Sequence, residues 1–312
     1  INTQYNKKDW TDIFKFIFLY INNYKLEESI KSTKVDINKM LIEKTENEYF
    51  KLANSDKFFD EFTKQEKIIL NGQELFNFSY IWEDLKEKIL CLDYEKDFYF
   101  IHGDLCFSNI LYSKNPINND AVLKFIDPRG TFGSKDYYGD LYYDLAKLSH
   151  SINGGYEYII YDQFELNIEN NKAELVYRND NKDKIYDIFQ EKIISTGYNP
   201  KIITMMEGLI YIGMCARHYD SKERQKVMYL TGVKLLNEFY EELKRLKIDV
   251  VLPSINESFA DFVVRNNKVY YALAAIKAVG YESVNQIISD RKNNGPFKSL
   301  EDFILRIDSK LI

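Results

Sequence analysis

Proline, glycine, cysteine and histidine are scarce in this chain, whose 312 residues include 5 Pro, 13 Gly, 3 Cys and 3 His. The three cysteines, Cys91, Cys106 and Cys215, are far apart and form no CxxC pair. This spacing indicates neither a disulfide framework nor a zinc site. It is typical of small buried side chains in a reducing compartment, so we expect a cytoplasmic protein.

Long apolar runs are also missing. The apolar stretch 10–21 carries Asp12 and Lys15 and is too short to cross a bilayer, and we find no signal peptide. We therefore expect no membrane partner. The net charge of -6 gives no general electrostatic reason to bind nucleic acid, so any such binding must be local. Because the chain starts at Ile1 rather than Met, we expect that it begins inside a longer reading frame.

The first third of the chain shows mainly helical patterns. Residues 8–95 have apolar side chains at helical spacing, only one glycine (Gly72) and no proline. We therefore expect helices there and no sheet built from tight hairpins. The pattern then changes, because residues 97–103 and 121–130 are short runs rich in aromatic and branched side chains, each ended by glycine. These runs predict two strands that flank a polar loop.

The middle of the chain predicts further helices and one hairpin. A glycine-punctuated loop after Pro128 leads to a helix that we expect to start near Asp140 or Tyr142 and to stop at Gly154. Residues 157–177 fit a β-hairpin. Helical patterns return after residue 183 and end near Lys247.

The composition and the pattern of the sequence change again near residue 248. A hairpin is indicated around Asn266–Asn267, followed by a short helix that ends at Gly280. We place a domain boundary near 241–248, so that the predicted domains are 1–247 and 248–312.

The loop at 102–109 holds one His, one Asp and one Asn in the pattern H-x-D-x-x-x-x-N. Phosphoryl transfer needs a carboxylate that orients the attacking hydroxyl, and oxygen ligands that hold magnesium on the nucleotide phosphates. Asp104 fits the first requirement, and Asn109 and Asp127 fit the second. The structural alternative is that each is a turn residue whose side chain bonds the local backbone.

Three segments in order, HGDLCFSNIL, FIDPRG and GDLYYDLAKL, resemble the aminoglycoside phosphotransferase and choline kinase group. They look most like bacterial members found with surface-polysaccharide or capsule synthesis. The resemblance implies that Asp104 is the catalytic base and that Asn109 and Asp127 bind Mg²⁺. ATP, or another nucleoside triphosphate, would donate its γ-phosphoryl group to a hydroxyl of a small molecule such as a sugar or an amino alcohol.

The same resemblance gives roles to three neighbouring residues. His102 would brace the catalytic loop, and Asp144 would steady that loop from the following helix. Asp140 and Asp144 fit helix capping equally well. Arg129 fits either a phosphate or carboxylate contact or an ordinary surface position.

The first 100 residues depart from the pattern of this group, because they contain no glycine-rich turn and no strand lysine followed by a helix glutamate. The resemblance therefore implies an α+β fold: a protein-kinase-like large lobe over 1–247, mostly helical with short β-hairpins, without the N-terminal nucleotide lobe. Without that lobe we expect poor ATP binding. The phosphoryl acceptor would lie among helices around 205–219.

The last 65 residues contain LPSINES, LAAIKAVG and GPFKSLEDF, which resemble the helix-hairpin-helix region of the bacterial DNA polymerase III alpha subunit. In such a hairpin, a glycine turn between two helices exposes N–H groups that hold a DNA phosphate without reading sequence. By this resemblance Gly280 is the turn and Lys277 lies beside it. Residues 248–312 contain eight Lys or Arg and eight Asp or Glu, so the DNA contact would be weak.

Three functions are thus open. The main hypothesis is a small-molecule kinase. The alternative is a DNA-associated binding module that uses the C-terminal segment, with residues 1–247 as an inert scaffold. The third is a remnant that does neither, with 248–312 as a small helical packing module.

Overall fold

A computed structural model of the chain describes residues 5–26, 28–91, 97–115, 117, 121–178, 182–245, 249–265, 268–276 and 279–307. These residues form both helices and strands, and helices predominate. The predicted mixture of helix and sheet with a C-terminal helical segment is therefore confirmed. The chain divides into two compact units: unit 1 comprises residues 1–83 and 93–240, and unit 2 comprises 84–92 and 241–312.

Helices occur in both units. In chain order the α-helices of the described residues are α1 (Lys7–Leu26), α2 (Lys34–Ile37), α3 (Lys44–Ala53), α4 (Lys57–Phe62), α5 (Phe78–Cys91), α6 (Leu141–Ile152), α7 (Tyr156–Ile160), α8 (Lys182–Ser195), α9 (Pro200–Ile212), α10 (Lys222–Arg245), α11 (Tyr281–Asn294) and α12 (Leu300–Arg306). Side-chain oxygens start several of them. The Asp140 carboxylate caps α6, and Asn199 caps α9, whose first residue is Pro200.

The strands are short. They are β1 (Ile30–Lys31), β2 (Lys67–Leu70), β3 (Gln73–Phe76), β4 (Asp97–Phe100), β5 (Ile110–Lys114), β6 (Ala121–Phe125), β7 (Thr131–Phe132), β8 (Lys135–Asp136), β9 (Tyr138–Gly139), β10 (Phe164–Glu169), β11 (Lys172–Tyr177), β12 (Asp249–Val251), β13 (Val263–Arg265) and β14 (Lys268–Tyr270). In unit 1 they form the sheets β1-β4-β9 and β10-β11-β2-β3 and the pairs β5-β6 and β7-β8.

The predicted strands on either side of the 102–109 loop are present as β4 and β6, but they do not pair with each other. β4 pairs with β1 and β9, whereas β6 pairs with β5, which directly follows the loop. The predicted helix over 140–154 is confirmed as α6, and the predicted hairpin over 157–177 as β10 and β11.

The expectation that residues 8–95 contain no tight hairpin is wrong. β2 and β3 pair antiparallel with Leu70 opposite Gln73, and Asn71 and Gly72 form the turn between them. Both turn residues have positive φ, at 50° and 81°, which asparagine and glycine tolerate best. The scarcity of glycine therefore did not exclude a hairpin, because one Asn-Gly pair is sufficient.

Helix α6 lies in the core of unit 1, and every residue from Leu141 to Ile152 is buried. It packs against α9, where the Tyr211 hydroxyl donates a 2.9 Å hydrogen bond to the carbonyl of His150. Large aromatic side chains such as Tyr229 and Phe189 fill the rest of this core and are fully buried. A rigidly packed α6 can hold the loop that contacts it in one position.

The described residues of unit 2 from 249 to 307 form a small sheet and the helices α11 and α12. The sheet has the order β12-β14-β13, and the antiparallel pair β13-β14 confirms the predicted strand pairing there. Its turn at Asn266–Asn267 lies outside the described residues. Two small apolar clusters stabilise the unit: one is centred on Leu273 and Val284, and the other on Ile287, Phe297 and Ile307.

The short helix predicted to end at Gly280 does not form in the residues described there, 268–276 and 279–280. These residues contain a 3-10 turn at Leu273–Ala275, and the regular helix α11 begins directly after Gly280. Gly280 is therefore the residue that starts a helix in the part of unit 2 that the structure describes.

Candidate functional site

Asp144 on α6 holds the start of the 102–109 loop in unit 1. Its two carboxylate oxygens accept hydrogen bonds from the backbone N–H groups of His102 and Gly103, both at 2.7 Å. Burial raises the pKa of Asp144 to about 7, against the opposite effect of these two N–H donors. The carboxyl group fixes two successive amides and thereby sets the direction in which the loop leaves β4.

The ring of His102 is held on both sides. Its Nε2 donates to the carbonyl of Ile126 at 2.9 Å, since a carbonyl oxygen can only accept, and its Nδ1 accepts from the N–H of Asp104 at 3.3 Å. This pattern requires the neutral ring, and burial lowers the pKa of His102 accordingly. His102 therefore links the loop to the end of β6.

The other predicted site residues of the loop occupy different environments. The Asp104 carboxylate forms a 2.7 Å ion pair with Lys147 of α6, and the Asn109 side-chain amide donates to the carbonyl of Asp104 at 2.8 Å. Asp127 is exposed and has a positive φ of 53°. Asp140 is buried and caps α6. Lys147 was not among the predicted residues, although a lysine within an apolar helix was a usable signal.

Gly103 shows why this loop needs a glycine. Its φ is +74°, and a Cβ atom there would lie 2.9 Å from the Cβ of Arg129, whose N–H donates to the carbonyl of His102 at 2.7 Å. The absence of a side chain allows the segment after β6 to pass directly against the loop.

Magnesium and nucleotide binding by this loop stay predictions from the sequence. Among the described residues, no group of three or more His, Cys, Asp or Glu side chains is placed to hold a metal ion. Of the two predicted ligands, Asp127 carries a carboxylate and Asn109 offers an amide oxygen, so they are not such a group. Within the same part of the chain, no helix has the length and apolar character needed to cross a membrane.

In unit 2, the N-terminus of α11 presents unblocked backbone amides. Gly280 is the N-cap residue, and no side chain caps the helix there. The first N–H groups of a helix have no partner within the helix, and they carry a partial positive charge. Glu282 in the first turn opposes this charge in part. Lys277, the other predicted contact residue, lies outside the described residues.

A second feature of unit 2 is a pair of arginines on one aromatic ring. The guanidinium groups of Arg265 on β13 and Arg291 on α11 lie 4.5 and 5.0 Å from the centroid of the Phe259 ring. Arg291 also donates to the carbonyl of Ile255 at 2.7 Å. This pair could not be predicted from the sequence, because its members are far apart along the chain.

The charge of this arginine pair is not neutralised by carboxylates whose positions the structure describes. Neither Arg265 nor Arg291 forms an ion pair with such a group. Burial lowers the pKa of Arg291, and the neighbouring charge of Arg265 lowers it further. Two adjacent cations around one ring are an arrangement that an anion would stabilise.

The connection from α11 to α12 is held by one arginine. Arg306 forms a 2.6 Å ion pair with Asp290 and donates to the carbonyl of Gly295 at 2.7 Å. Its guanidinium also lies 4.2 Å from the centroid of the Phe297 ring. The Asn256 side chain bonds both the N–H and the carbonyl of Phe297. The two helices are thus fixed as a hairpin.

Comparison with known proteins identifies this C-terminal segment as a helix-hairpin-helix motif, because residues 247–312 match the model of that motif. A motif of this size covers a small part of the chain.

The individual relatives are replicative polymerases. The DNA polymerase III subunit alpha of Caulobacter vibrioides is 39% identical over 83 residues, which is 27% of this chain and 7% of that protein. The same subunit of Borreliella burgdorferi is 43% identical over 77 residues, 25% of this chain and 7% of the relative. The same subunit of Chlamydia trachomatis is 36% identical over 80 residues, which is 26% of this chain and 6% of that protein. The matched part therefore spans less than a tenth of the length of these relatives.

These findings confirm the predicted resemblance of the C-terminal segment and correct the main functional hypothesis. They give no support to the resemblance of residues 1–247 to aminoglycoside phosphotransferases and choline kinases. The hypothesis of an ATP-dependent small-molecule kinase is wrong, because the motif and the named relatives point to a DNA-associated role. That role was the alternative reading of the sequence.

Proposed function

We propose that residues 248–312 form a DNA-associated binding module that holds the phosphate backbone without reading base sequence. The observation that carries this proposal is the similarity of the segment to the DNA polymerase III alpha subunit, in a region matched by the helix-hairpin-helix motif. The proposal concerns binding only. It does not extend to polymerase activity, because the match covers 7% of the first relative.

Two features of unit 2 supply suitable donors. The start of α11 at Gly280 offers backbone N–H groups and the positive end of the helix dipole, which together favour a phosphate oxygen. Arg265 and Arg291 offer two guanidinium groups that no described carboxylate neutralises. Backbone amides and arginines are the donors that position DNA through its phosphates.

The proposed binding is weak and depends on salt. Residues 248–312 carry eight basic and eight acidic side chains, so they have no overall positive field to concentrate DNA. We therefore expect a dissociation constant in the range of nonspecific binding, about 10⁻⁴ to 10⁻⁶ M, that weakens steeply as salt rises.

The experiment uses the full chain and a short fluorescein-labelled DNA duplex, with binding followed by fluorescence anisotropy across a range of NaCl concentrations. Arg265→Met and Arg291→Met should each weaken binding and reduce the slope of log K against log salt by about 0.9. The control is Arg178→Met, an exposed arginine of unit 1 whose replacement changes the net charge equally. If the chain does not bind the duplex at about 50 mM NaCl, the proposal is wrong. It is also wrong if all three variants bind DNA with the same affinity and the same salt dependence.

A further inference from the structure

Two cations of unit 1 converge on a single phenol oxygen. Lys44, the first residue of α3, donates from Nζ to the hydroxyl oxygen of Tyr143 at 3.3 Å. Arg129, in the segment after β6, donates from Nη1 to the same oxygen at 3.0 Å. Tyr143 is buried in α6, and its ring packs edge-on against Phe132. The ring position is therefore fixed, and both cations meet at a defined point.

Neither cation has a carboxylate partner among the described residues. The ion pairs of unit 1 include Lys147 with Asp104 and Lys51 with Glu48, but none that involves Lys44 or Arg129. Burial lowers the pKa of Lys44, and the charges of Arg129 and Arg217 lower it further. Lys44 is half-buried and Arg129 is exposed, and a pair of cations whose shared acceptor is a phenol is incompletely neutralised.

The electrostatic state of Tyr143 indicates the same excess of positive charge. Burial alone would raise the pKa of this phenol, but the charges of Lys44, Lys147 and Arg129 outweigh burial and lower it. The surroundings of this oxygen thus stabilise a negative charge better than burial alone would allow.

A cleft gives access to Lys44. It has a volume of about 550 Å³, and Lys39, Glu43, Asn47 and Lys51 contribute to its walls. The carboxylates in its walls are already bonded: Glu43 accepts from the Asn38 side chain at 2.9 Å, and Glu48 accepts from Lys51 at 2.8 Å. The cleft therefore has room for a small molecule and leaves Lys44 available to it.

We propose that Lys44 and Arg129 together bind the phosphate group of a small molecule that enters this cleft. Two cations match the two charges of a phosphate monoester, and the planar fork of arginine can bond two of its oxygens while the lysine ammonium supplies a point charge. The Tyr143 hydroxyl oxygen is the acceptor that both cations share in the unliganded protein, and a phosphate would bind beside it and compete for the same donors. This site lies in unit 1 and is independent of the DNA-binding proposal.

The test measures the thermal unfolding of the full chain in sodium phosphate and in NaCl of equal ionic strength. A ligand that binds only the folded state raises the unfolding temperature with its concentration. Phosphate should raise it for the wild-type chain, and Lys44→Met and Arg129→Met should each weaken phosphate binding at least tenfold. Lys172→Met, at an exposed position of β11, is the matched control and should respond as the wild type does.

Two further variants separate binding from folding. Lys44→Arg keeps the positive charge and should retain the phosphate response. Tyr143→Phe removes the competing hydroxyl and should retain or strengthen it. Equal unfolding temperatures of the wild type in phosphate and NaCl would overturn the proposal. So would an undiminished response in both methionine variants, or an equal response to acetate, since acetate tests for a general carboxylate site.

Discussion

Replacing Gly280 with serine should change two properties of α11 in opposite directions. Serine at an N-cap accepts a hydrogen bond from an N–H of the first turn, which glycine cannot do. The backbone at Gly280 has φ -75° and ψ 145°, a conformation that serine adopts without strain. An added Cβ would meet only the Ser283 hydroxyl, at an ordinary contact distance of 3.6 Å. The variant should therefore fold normally.

The size of each effect follows from the hydrogen bonds involved. The new cap should stabilise α11 by a few tenths of a kcal/mol relative to glycine. The same serine oxygen would occupy an N–H that we propose binds DNA phosphate, and a hydrogen bond to a charged group contributes about 1.5–3 kcal/mol. Because 1.4 kcal/mol corresponds to a factor of ten, DNA affinity should fall about tenfold or more.

The two effects need separate assays. Urea unfolding followed by circular dichroism measures stability, and anisotropy of a labelled duplex at low salt measures DNA affinity. Gly280→Ala is the control, because its methyl group adds bulk but no acceptor; it should destabilise α11 slightly and leave DNA affinity nearly unchanged. If Gly280→Ser stabilises the chain yet binds DNA as the wild type does, the start of α11 is not a phosphate site.

Three further predictions concern unit 1. Asp144→Ala leaves two buried N–H groups without an acceptor and should lower the free energy of unfolding in urea by about 2–5 kcal/mol. Asp140→Ala removes only the cap of α6 and should lower it by about 1 kcal/mol. Burial lowers the pKa of His150 well below its usual range, so the unfolded chain takes up this proton first and stability is lost as pH falls below about 6.5. His150→Phe should reduce that loss by up to about 1.4 kcal/mol per pH unit, measured as the difference in unfolding free energy between neutral and acidic buffer. Gly154→Ala places a Cβ in steric conflict with the Tyr211 ring and should lower the unfolding temperature, with a cost of about 1–3 kcal/mol. An unchanged transition would show that the ring can move aside.

Elements with strong local signals could be predicted from the sequence. Helix α6 combines a capping aspartate with apolar residues at helical spacing, and the β10-β11 hairpin alternates polar and apolar residues around a polar turn. The hairpin at Asn71–Gly72 carried an equally clear signal. The scarcity of glycine and proline over residues 8–95 predicted no hairpin, but a single Asn-Gly pair supplies the two positive φ angles that such a turn needs.

Other elements depend on tertiary contacts and leave little trace in the sequence. Strands such as β1 and β9 have two residues each, too few to show an alternating pattern, and exist because β4 lies between them. The segment before Gly280 has helical composition, yet its described residues 271–276 form a 3-10 turn and no α-helix. Its apolar residue Leu273 instead packs into a cluster with Ala260 and Val284.

The candidate residues of unit 2 differ in how visible they are in the sequence. Gly280 stands within a local motif that resemblance can find, and its role in binding stays a prediction. The arginine pair around Phe259 could not be found in this way, because its members come from a strand and a helix that only folding brings together. The loop at 102–109 shows the opposite error: its motif spacing was clear, but the kinase activity inferred from it was wrong.

The Arg306–Asp290 pair has a practical consequence for work on this segment. Both side chains are shielded from water, with 17% and 16% of their surfaces exposed, so added electrolyte screens their attraction far less than it screens an exposed contact. A rise in salt concentration that abolishes the proposed DNA binding should therefore leave the hairpin of α11 and α12 folded. Release of DNA and unfolding of unit 2 can then be told apart in a single salt titration.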